Sequence, residues 1–230
     1  YDSQLTELKN SLPNAKNILI ALPVGADIDK FAAGLALFLA FKNSGKEVSL
    51  VSEDTIRVSQ AHLFGVDNIK NTIPQGGGVG DFVITLEGVA DVVGNRVSSL
   101  EKMDYFVEGT SLNLVCKVLP GQTFHPTNVT YGSKQTDKLD LIFVIGAANL
   151  NSLGNLYNKN QSVFTGMPLV NIDNQANSSF GTTNVIDVAA SSASEILADV
   201  IPSLGLPVDQ DTASNLMIGI YDATANLSNE

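Results

Sequence analysis

Hydrophobic residues along the chain form short continuous runs that alternate with longer stretches of helical spacing. The first run, NILIAL at residues 17–22, is typical of a strand buried inside a parallel sheet. Residues 28–44 are apolar on nearly every face and predict a buried helix, which Gly45 is placed to end. Residues 47–51 predict a second strand. Strand, helix and strand in this order indicate a right-handed βαβ unit.

The same alternation continues to the end of the chain. It predicts further strands at residues 81–86, 139–145 and 169–172, and further helices at residues 5–12, 57–64, 191–201 and 212–223. Together these elements predict a doubly wound α/β fold, in which flanking helices cover a mostly parallel sheet of about five strands. The glycine-rich run at residues 75–80 precedes a strand, whereas a phosphate-binding loop follows one, so we interpret this run as a connector.

A different pattern interrupts this fold between residues 101 and 138. Residues 105–118 predict a strand, Pro120 and Gly121 predict a turn, and residues 128–131 are predicted to pair back. The apolar positions on one face of that strand are Leu112, Leu114, Cys116 and Val118. We interpret residues 101–138 as an inserted β-hairpin. Its apolar face requires a cover, either the chain's own domain or a protein partner such as a second copy in a homodimer.

Composition and charge narrow the classes of partner. The chain of 230 residues is 44% hydrophobic and 16% charged, which is typical of a globular domain. Its net charge is −11, and no Lys, Arg or His follows residue 160, so a surface for duplex nucleic acid is not expected there. No apolar run approaches the roughly 20 residues of a membrane span. A single cysteine excludes an internal disulfide and suits the cytoplasm, where we expect the protein to act.

Three segments carry acidic residues at the ends of predicted strands or helices. They are ILIALPVGADIDKFAAGLALFLAFKNSG at residues 18–45, PLVNIDNQANSSFGTTNVIDVAASSASEIL at residues 168–197 and ASNLMIGIYDATANLS at residues 213–228. In order, spacing and local context these segments resemble the DHH superfamily of phosphoesterases, which includes RecJ-like exonucleases and nanoRNases. The resemblance covers most of the chain outside the hairpin. It implies one DHH-like α/β domain over residues 1–230, without the family's C-terminal substrate-binding domain.

The resemblance also implies a metal-dependent reaction at these segments. Members of the family bind two divalent metal ions, commonly Mn²⁺, whose bridging water attacks a phosphorus atom. The residues that stand at positions of the family's carboxylate ligands are Asp27, Asp29, Asp173 and Asp222.

Other positions depart from the family's pattern. Pro23 stands near the place of the first histidine, and Gly146 stands where an aspartate is expected. Asn174 and Gln175 replace two histidines, and neutral amides are weaker ligands than imidazoles, so we interpret the four aspartates as a vestigial metal site. That site has room for at most one oxygen-coordinated ion, Mg²⁺, Ca²⁺ or Mn²⁺, and no other cofactor is predicted. Asn174, Gln175 and Asn177 become candidates for binding a nucleotide ligand.

Each retained acid also has a structural interpretation. Asp27 and Asp29 can cap the helix that follows them, and Asp173 can accept hydrogen bonds from loop amides. The serines of residues 191–194 either present helix amides to an anion or cap the helix that they precede.

Three functions follow as hypotheses. In the first, the domain has lost two-metal catalysis and acts by binding a nucleotide or a protein partner. In the second, an altered set of oxygen ligands keeps it active as a metal-dependent phosphodiesterase or phosphatase on short oligonucleotides or nucleotides. In the third, it is a structural subunit that forms an oligomer through the β-hairpin.

Overall fold

The chain divides into two compact units. A computed structural model describes residues 2–56, 60–74, 82–91, 97–133, 139–225 and 227–228. The larger unit comprises residues 1–76 and 137–230, and the smaller unit comprises residues 77–136. The smaller unit begins earlier than the insertion predicted at residue 101, because a strand at residues 82–87 pairs inside it.

Ten strands lie in the part of the chain that the structure describes. In chain order they are β1 (Asn17–Ala21), β2 (Glu47–Val51), β3 (Ile69–Lys70), β4 (Phe82–Glu87), β5 (Leu100–Glu108), β6 (Ser111–Val118), β7 (Asn128–Ser133), β8 (Leu141–Ile145), β9 (Leu169–Asp173) and β10 (Thr183–Ile186). Six of them form one sheet in the order β10-β9-β8-β1-β2-β3, and every neighbouring pair in it is parallel. This sheet confirms the predicted α/β class, with one strand more than expected.

Apolar side chains cover both faces of this sheet, which is why its central strands read as continuous hydrophobic runs. Along β1, Ile18 and Ile20 join one buried cluster, and Leu19 and Ala21 join a second cluster. Successive side chains of a strand point to opposite faces, so the two clusters are the two halves of the core.

The helices cover the two faces of the sheet. In chain order they are α1 (Asp2–Ser11), α2 (Ile28–Asn43), α3 (Asn155–Asn158), α4 (Gln161–Gly166), α5 (Ala193–Ser203) and α6 (Gln210–Ala223). Helices α1, α2, α5 and α6 contribute to one core cluster, and α3 and α4 contribute to the other. Helix α2 is apolar on nearly every side because α5 and α6 also pack against it. Asp27 caps the N-terminus of α2, and Gly45, which has a φ of +79°, follows its C-terminus.

The smaller unit contains two antiparallel pairs of strands. β4 pairs with β7, and β5 pairs with β6 across a turn at Gly109 and Thr110, where Gly109 has a φ of +60°. The prediction of one strand over residues 105–118 is therefore wrong, since this turn divides it. Residues 128–131 pair with β4 and not with residues 105–118. The strand predicted at residues 81–86 is β4, which lies here and not in the parallel sheet.

Short elements account for the other differences from the predicted pattern. Strands β3 and β10 have two and four residues, too few for a recognisable period. Of the helix predicted at residues 57–64, residues 60–64 form no α-helix, and residues 57–59 lie outside the described part of the chain, as does the glycine-rich run at residues 75–80. None of the described helices combines the length and hydropathy that a membrane-spanning segment needs.

Candidate functional site

The carboxyl ends of the parallel strands bring three of the candidate positions to one edge of the sheet. Asp27 follows β1, Gly146 follows β8 and Asp173 is the last residue of β9, and these three strands are consecutive in the sheet. Open α/β sheets bind ligands outside this edge. The side chains here therefore decide what the domain can bind.

Asp27 is held by Lys30 of the helix that it caps. Its Oδ1 accepts a hydrogen bond from the backbone N–H of Lys30 at 3.0 Å, and its Oδ2 pairs with the Lys30 ammonium group. The methylene groups of Lys30 also fill the space beside Gly146, where an added Cβ would lie only 2.7–2.8 Å from them. Lys30 thus places a positive charge beside a predicted metal ligand and fills the space next to the missing aspartate.

Asp29 is 5% exposed and caps a different helix. Its Oδ2 accepts a hydrogen bond from the backbone N–H of Ala193 at 2.8 Å, and its Oδ1 accepts one from the backbone N–H of Ser194 at 3.0 Å. These amides begin α5, so the carboxylate satisfies two helix donors that lack intrahelical partners. Burial raises the pKa of Asp29, although the hydrogen bonds from Ser194 and Ala193 favour its charged form. Capping of α2 therefore applies to Asp27 and not to Asp29.

Asp173 belongs to a network of amide side chains. Its Oδ1 accepts a hydrogen bond from the backbone N–H of Gln175 at 3.0 Å, and its Oδ2 accepts one from Asn177 Nδ2 at 2.9 Å. Asn177 also exchanges hydrogen bonds of 2.9 and 3.2 Å with the fully buried Asn171, which donates to Asn184 at 3.0 Å. Both carboxylate oxygens of Asp173 are therefore occupied by the chain itself. Sequence reasoning missed Asn171, whose signal is a polar residue inside an otherwise apolar strand.

The predicted ligand-binding amides differ in how they are used. Asn177 is committed to the network around Asp173. The side chain of Asn174 is half-buried and that of Gln175 is exposed, and neither forms a hydrogen bond with any residue that the structure describes. Of the three predicted ligand-binding amides, Asn174 and Gln175 are therefore the two whose side chains can form hydrogen bonds with a ligand.

Asp222 lines a groove of about 550 Å³ on the larger unit. It is exposed in the last turn of α6, and the side chains of His62, Met217 and Tyr221 line the same groove. His62 lies outside the three segments that resemble the phosphoesterases. The tertiary structure nevertheless brings it to the groove of the fourth candidate aspartate.

Two further acids, Glu53 and Asp54, bind backbone N–H groups of the loops at this edge. They were not among the residues predicted from the sequence. Glu53 accepts hydrogen bonds from the side-chain and backbone N–H groups of Asn155, both at 2.6 Å, and these bonds lower the pKa of Glu53. Asp54 Oδ2 accepts hydrogen bonds from the backbone N–H groups of Gly25 at 2.7 Å and Ala26 at 3.2 Å. The signal for both acids was their position in the loop that follows the strand predicted at residues 47–51.

The serine run at residues 191–194 begins α5. Ser192 Oγ accepts a hydrogen bond from the backbone N–H of Glu195 at 3.0 Å, and the Glu195 carboxylate accepts bonds from the N–H and hydroxyl of Ser191. The backbone N–H groups of Ala193 and Ser194 already donate hydrogen bonds to Asp29. The geometry therefore supports capping over anion binding.

The acids at this edge are engaged by the chain itself. Within the described ranges, no three His, Cys, Asp or Glu side chains gather closely enough to hold a metal ion. Asp27 is paired with an ammonium group, and Asp29 and Asp173 each use both oxygens to accept hydrogen bonds from the chain.

Comparison with known proteins relates the fold to a solved structure. No protein-family profile matches the sequence, and no curated protein matches it. Among solved structures, the chain is similar to an exopolyphosphatase-related protein from Bacteroides fragilis, with a TM-score of 0.65 and 13% identity. The two folds are related. The similarity covers 99% of this chain and 52% of that protein, so the chain spans about half its length.

Replacing Asn177 by alanine is expected to lower the free energy of unfolding by about 2 kcal/mol, because it removes the hydrogen bond that Asn177 donates to Asp173 and both bonds that it exchanges with the buried Asn171. Urea denaturation followed by circular dichroism measures the change. Replacing the exposed Gln175 by alanine is the matched control, with an expected change below about 0.5 kcal/mol. Equal losses in the two variants would contradict the network.

Proposed function

We propose that this chain is a non-hydrolytic relative of the DHH-type phosphoesterases that acts by binding a ligand. One observation carries the proposal. The carboxylates that stand at the family's ligand positions on the sheet edge, Asp27, Asp29 and Asp173, are all committed to partners within the chain. A metal ion would have to displace an ammonium group or several backbone amides to reach them.

Electrostatics favours this reading over an active hydrolase with altered ligands. Lys30 already neutralises the Asp27 carboxylate, so this ion pair attracts a dication much less than a free carboxylate would. The amide oxygens of Asn174 and Gln175 do not compensate, because they are weaker ligands for a divalent transition metal than imidazole nitrogens.

The ligand that we propose is a nucleotide, with a protein partner as the second candidate. The site lies at the edge of the sheet where such folds bind phosphorylated ligands. The side-chain amides of Asn174 and Gln175 form no hydrogen bond with a described residue, and they suit the donor and acceptor groups of a base or a sugar.

Calorimetric titration of the purified chain with Mn²⁺ tests the loss of the metal centre. We expect no binding of two ions per chain, and no hydrolysis of bis(p-nitrophenyl) phosphate or a short oligonucleotide above the metal-only rate. A panel of nucleotides in the same calorimeter then separates nucleotide binding from the need for a protein partner. Binding of two Mn²⁺ together with turnover would refute the proposal.

A rebuilt site provides the complementary variant. It combines Asn174→His and Gln175→His with Gly146→Asp, and it includes Lys30→Ala because the Lys30 side chain fills the space beside Gly146. Aspartate tolerates the φ of +66° at this position better than most residues. The affinity of the rebuilt site for Mn²⁺ should be at least about tenfold higher than that of the parent. The control carries Lys30→Ala alone, and a parent that binds Mn²⁺ as tightly as the rebuilt site would contradict our assignment of the ligands.

A further inference from the structure

One face of the β5–β6 hairpin is apolar throughout. In the antiparallel register, Met103 lies opposite Cys116, Tyr105 opposite Leu114, and Val107 opposite Leu112, and directly opposed residues share a face. We call these six side chains the apolar face of the hairpin. Five of them are 46–69% exposed, and Cys116 is half-buried.

A two-stranded hairpin with such a face needs a cover. β5 and β6 form a sheet of two strands, and an isolated pair of strands is marginally stable in water. The exposed apolar side chains are contiguous along both strands, unlike the scattered single residues of an ordinary surface. The hairpin therefore has the properties of an interface.

We propose that a second copy of this chain covers the apolar face, with the two hairpins stacked face to face about a two-fold axis. A surface that meets its own copy must complement itself, and an uncharged apolar surface does so, whereas a surface of one charge repels its copy. The alternation of side chains along each strand places four charged residues of the hairpin on the opposite face. They are Lys102, Asp104, Glu108 and Lys117.

The distribution of charge favours association at this place. The whole chain has a net charge of −11, so two copies repel each other over most of their surface. Residues 100–118 contain three acids and two lysines, and their net charge is only −1. The hairpin is therefore a part of the chain where two copies can approach with little repulsion.

The area is sufficient for a specific dimer. A large side chain exposes on the order of 200 Å² when fully accessible, so the five exposed residues of the face contribute about 600 Å² in each copy. Burying both copies removes roughly 1,200 Å², which reaches the lower limit of stable interfaces. Tyr105 and Leu114 form the middle pair of the face, where a central aromatic residue contributes most to binding.

Sedimentation velocity of the chain over a concentration series tests this inference, and we expect a species of twice 24.3 kDa. Tyr105→Glu should raise the dissociation constant of the dimer by about 100-fold or more, because a hot-spot residue is lost and enters the interface twice. Phe106→Glu is the matched control: Phe106 is the next residue, is 50% exposed and lies on the opposite face, so the constant should change by less than about threefold. Circular dichroism and melting of each variant check that the fold is kept.

The single cysteine supplies a second measurement that does not depend on mass. Cys116 belongs to the apolar face, so its reaction with a thiol reagent should slow as the parent dimerises and should be independent of concentration in Tyr105→Glu. A parent that is monomeric throughout overturns the proposal, and binding of that monomer to phospholipid vesicles would assign the face to a lipid surface. A dimer that withstands Tyr105→Glu, or that is weakened equally by Phe106→Glu, overturns it as well.

Discussion

Replacement of Asp29 by alanine is expected to lower the free energy of unfolding by about 3 kcal/mol. The substitution leaves the backbone N–H groups of Ala193 and Ser194 without their acceptor inside a buried junction, and each such donor costs about 1–3 kcal/mol. It also removes a negative charge from the start of α5. Urea denaturation measures the loss.

Asp27→Ala is the matched control from the same loop. Asp27 caps α2 from a side chain that is 53% exposed, so its loss should cost only about 1 kcal/mol. If the two aspartates served as metal ligands without other partners, neither substitution would destabilise the metal-free chain. Equal losses would contradict the assignment of Asp29 to α5.

The effect of Asp29→Ala should depend on pH with a definite sign. Because burial raises the pKa of Asp29 above its ordinary value of 3.8, the folded state holds this proton more tightly than the unfolded state. The stability that the side chain contributes is complete below pH 3.8 and declines as the pH rises through the folded pKa. The difference in stability between the parent and Asp29→Ala should therefore shrink with rising pH, and a difference that grows would contradict this direction.

Replacement of Gly219 by alanine is expected to lower the free energy of unfolding by about 2 kcal/mol. The new Cβ would overlap Ser194 Oγ and would lie 2.9 Å from Asp29 Oδ1. Ser194 is fully buried and cannot turn its hydroxyl into solvent, so the overlap displaces the contact between α5 and α6, at a cost of about 3 kcal/mol. The better helix propensity of alanine returns only about 1 kcal/mol. Urea denaturation again measures the change.

Gly166→Ala separates the steric effect from helix propensity. Gly166 is also a helical residue, the last one of α4, but a Cβ there would have no neighbour within 4 Å. Its replacement should leave stability unchanged or slightly raised. A destabilisation at Gly166 as large as that at Gly219 would show that backbone conformation, and not the packing of α2, α5 and α6, limits both positions.

Local sequence was sufficient for the four longer strands of the parallel sheet. β1, β2, β8 and β9 read as short apolar runs because helices cover both faces of the sheet, and the predicted bounds of these strands differ from the observed ones by at most two residues. The prediction was wrong in the smaller unit, where alternating residues continue on both sides of Gly109. A period of two identifies strands but does not locate a turn between two strands of the same pattern.

The sequence by itself determined the α/β class, the long buried helix after β1, and the absence of imidazoles from the positions that resemble a metal centre. Only the tertiary structure decided what the remaining acids do, because a carboxylate is defined by its partners. Asp29 meets Ala193, which is 164 residues away, and Glu53 meets Asn155, which is 102 residues away. No local pattern contains such contacts, since they arise when distant strand ends and helix starts meet at one edge of the sheet.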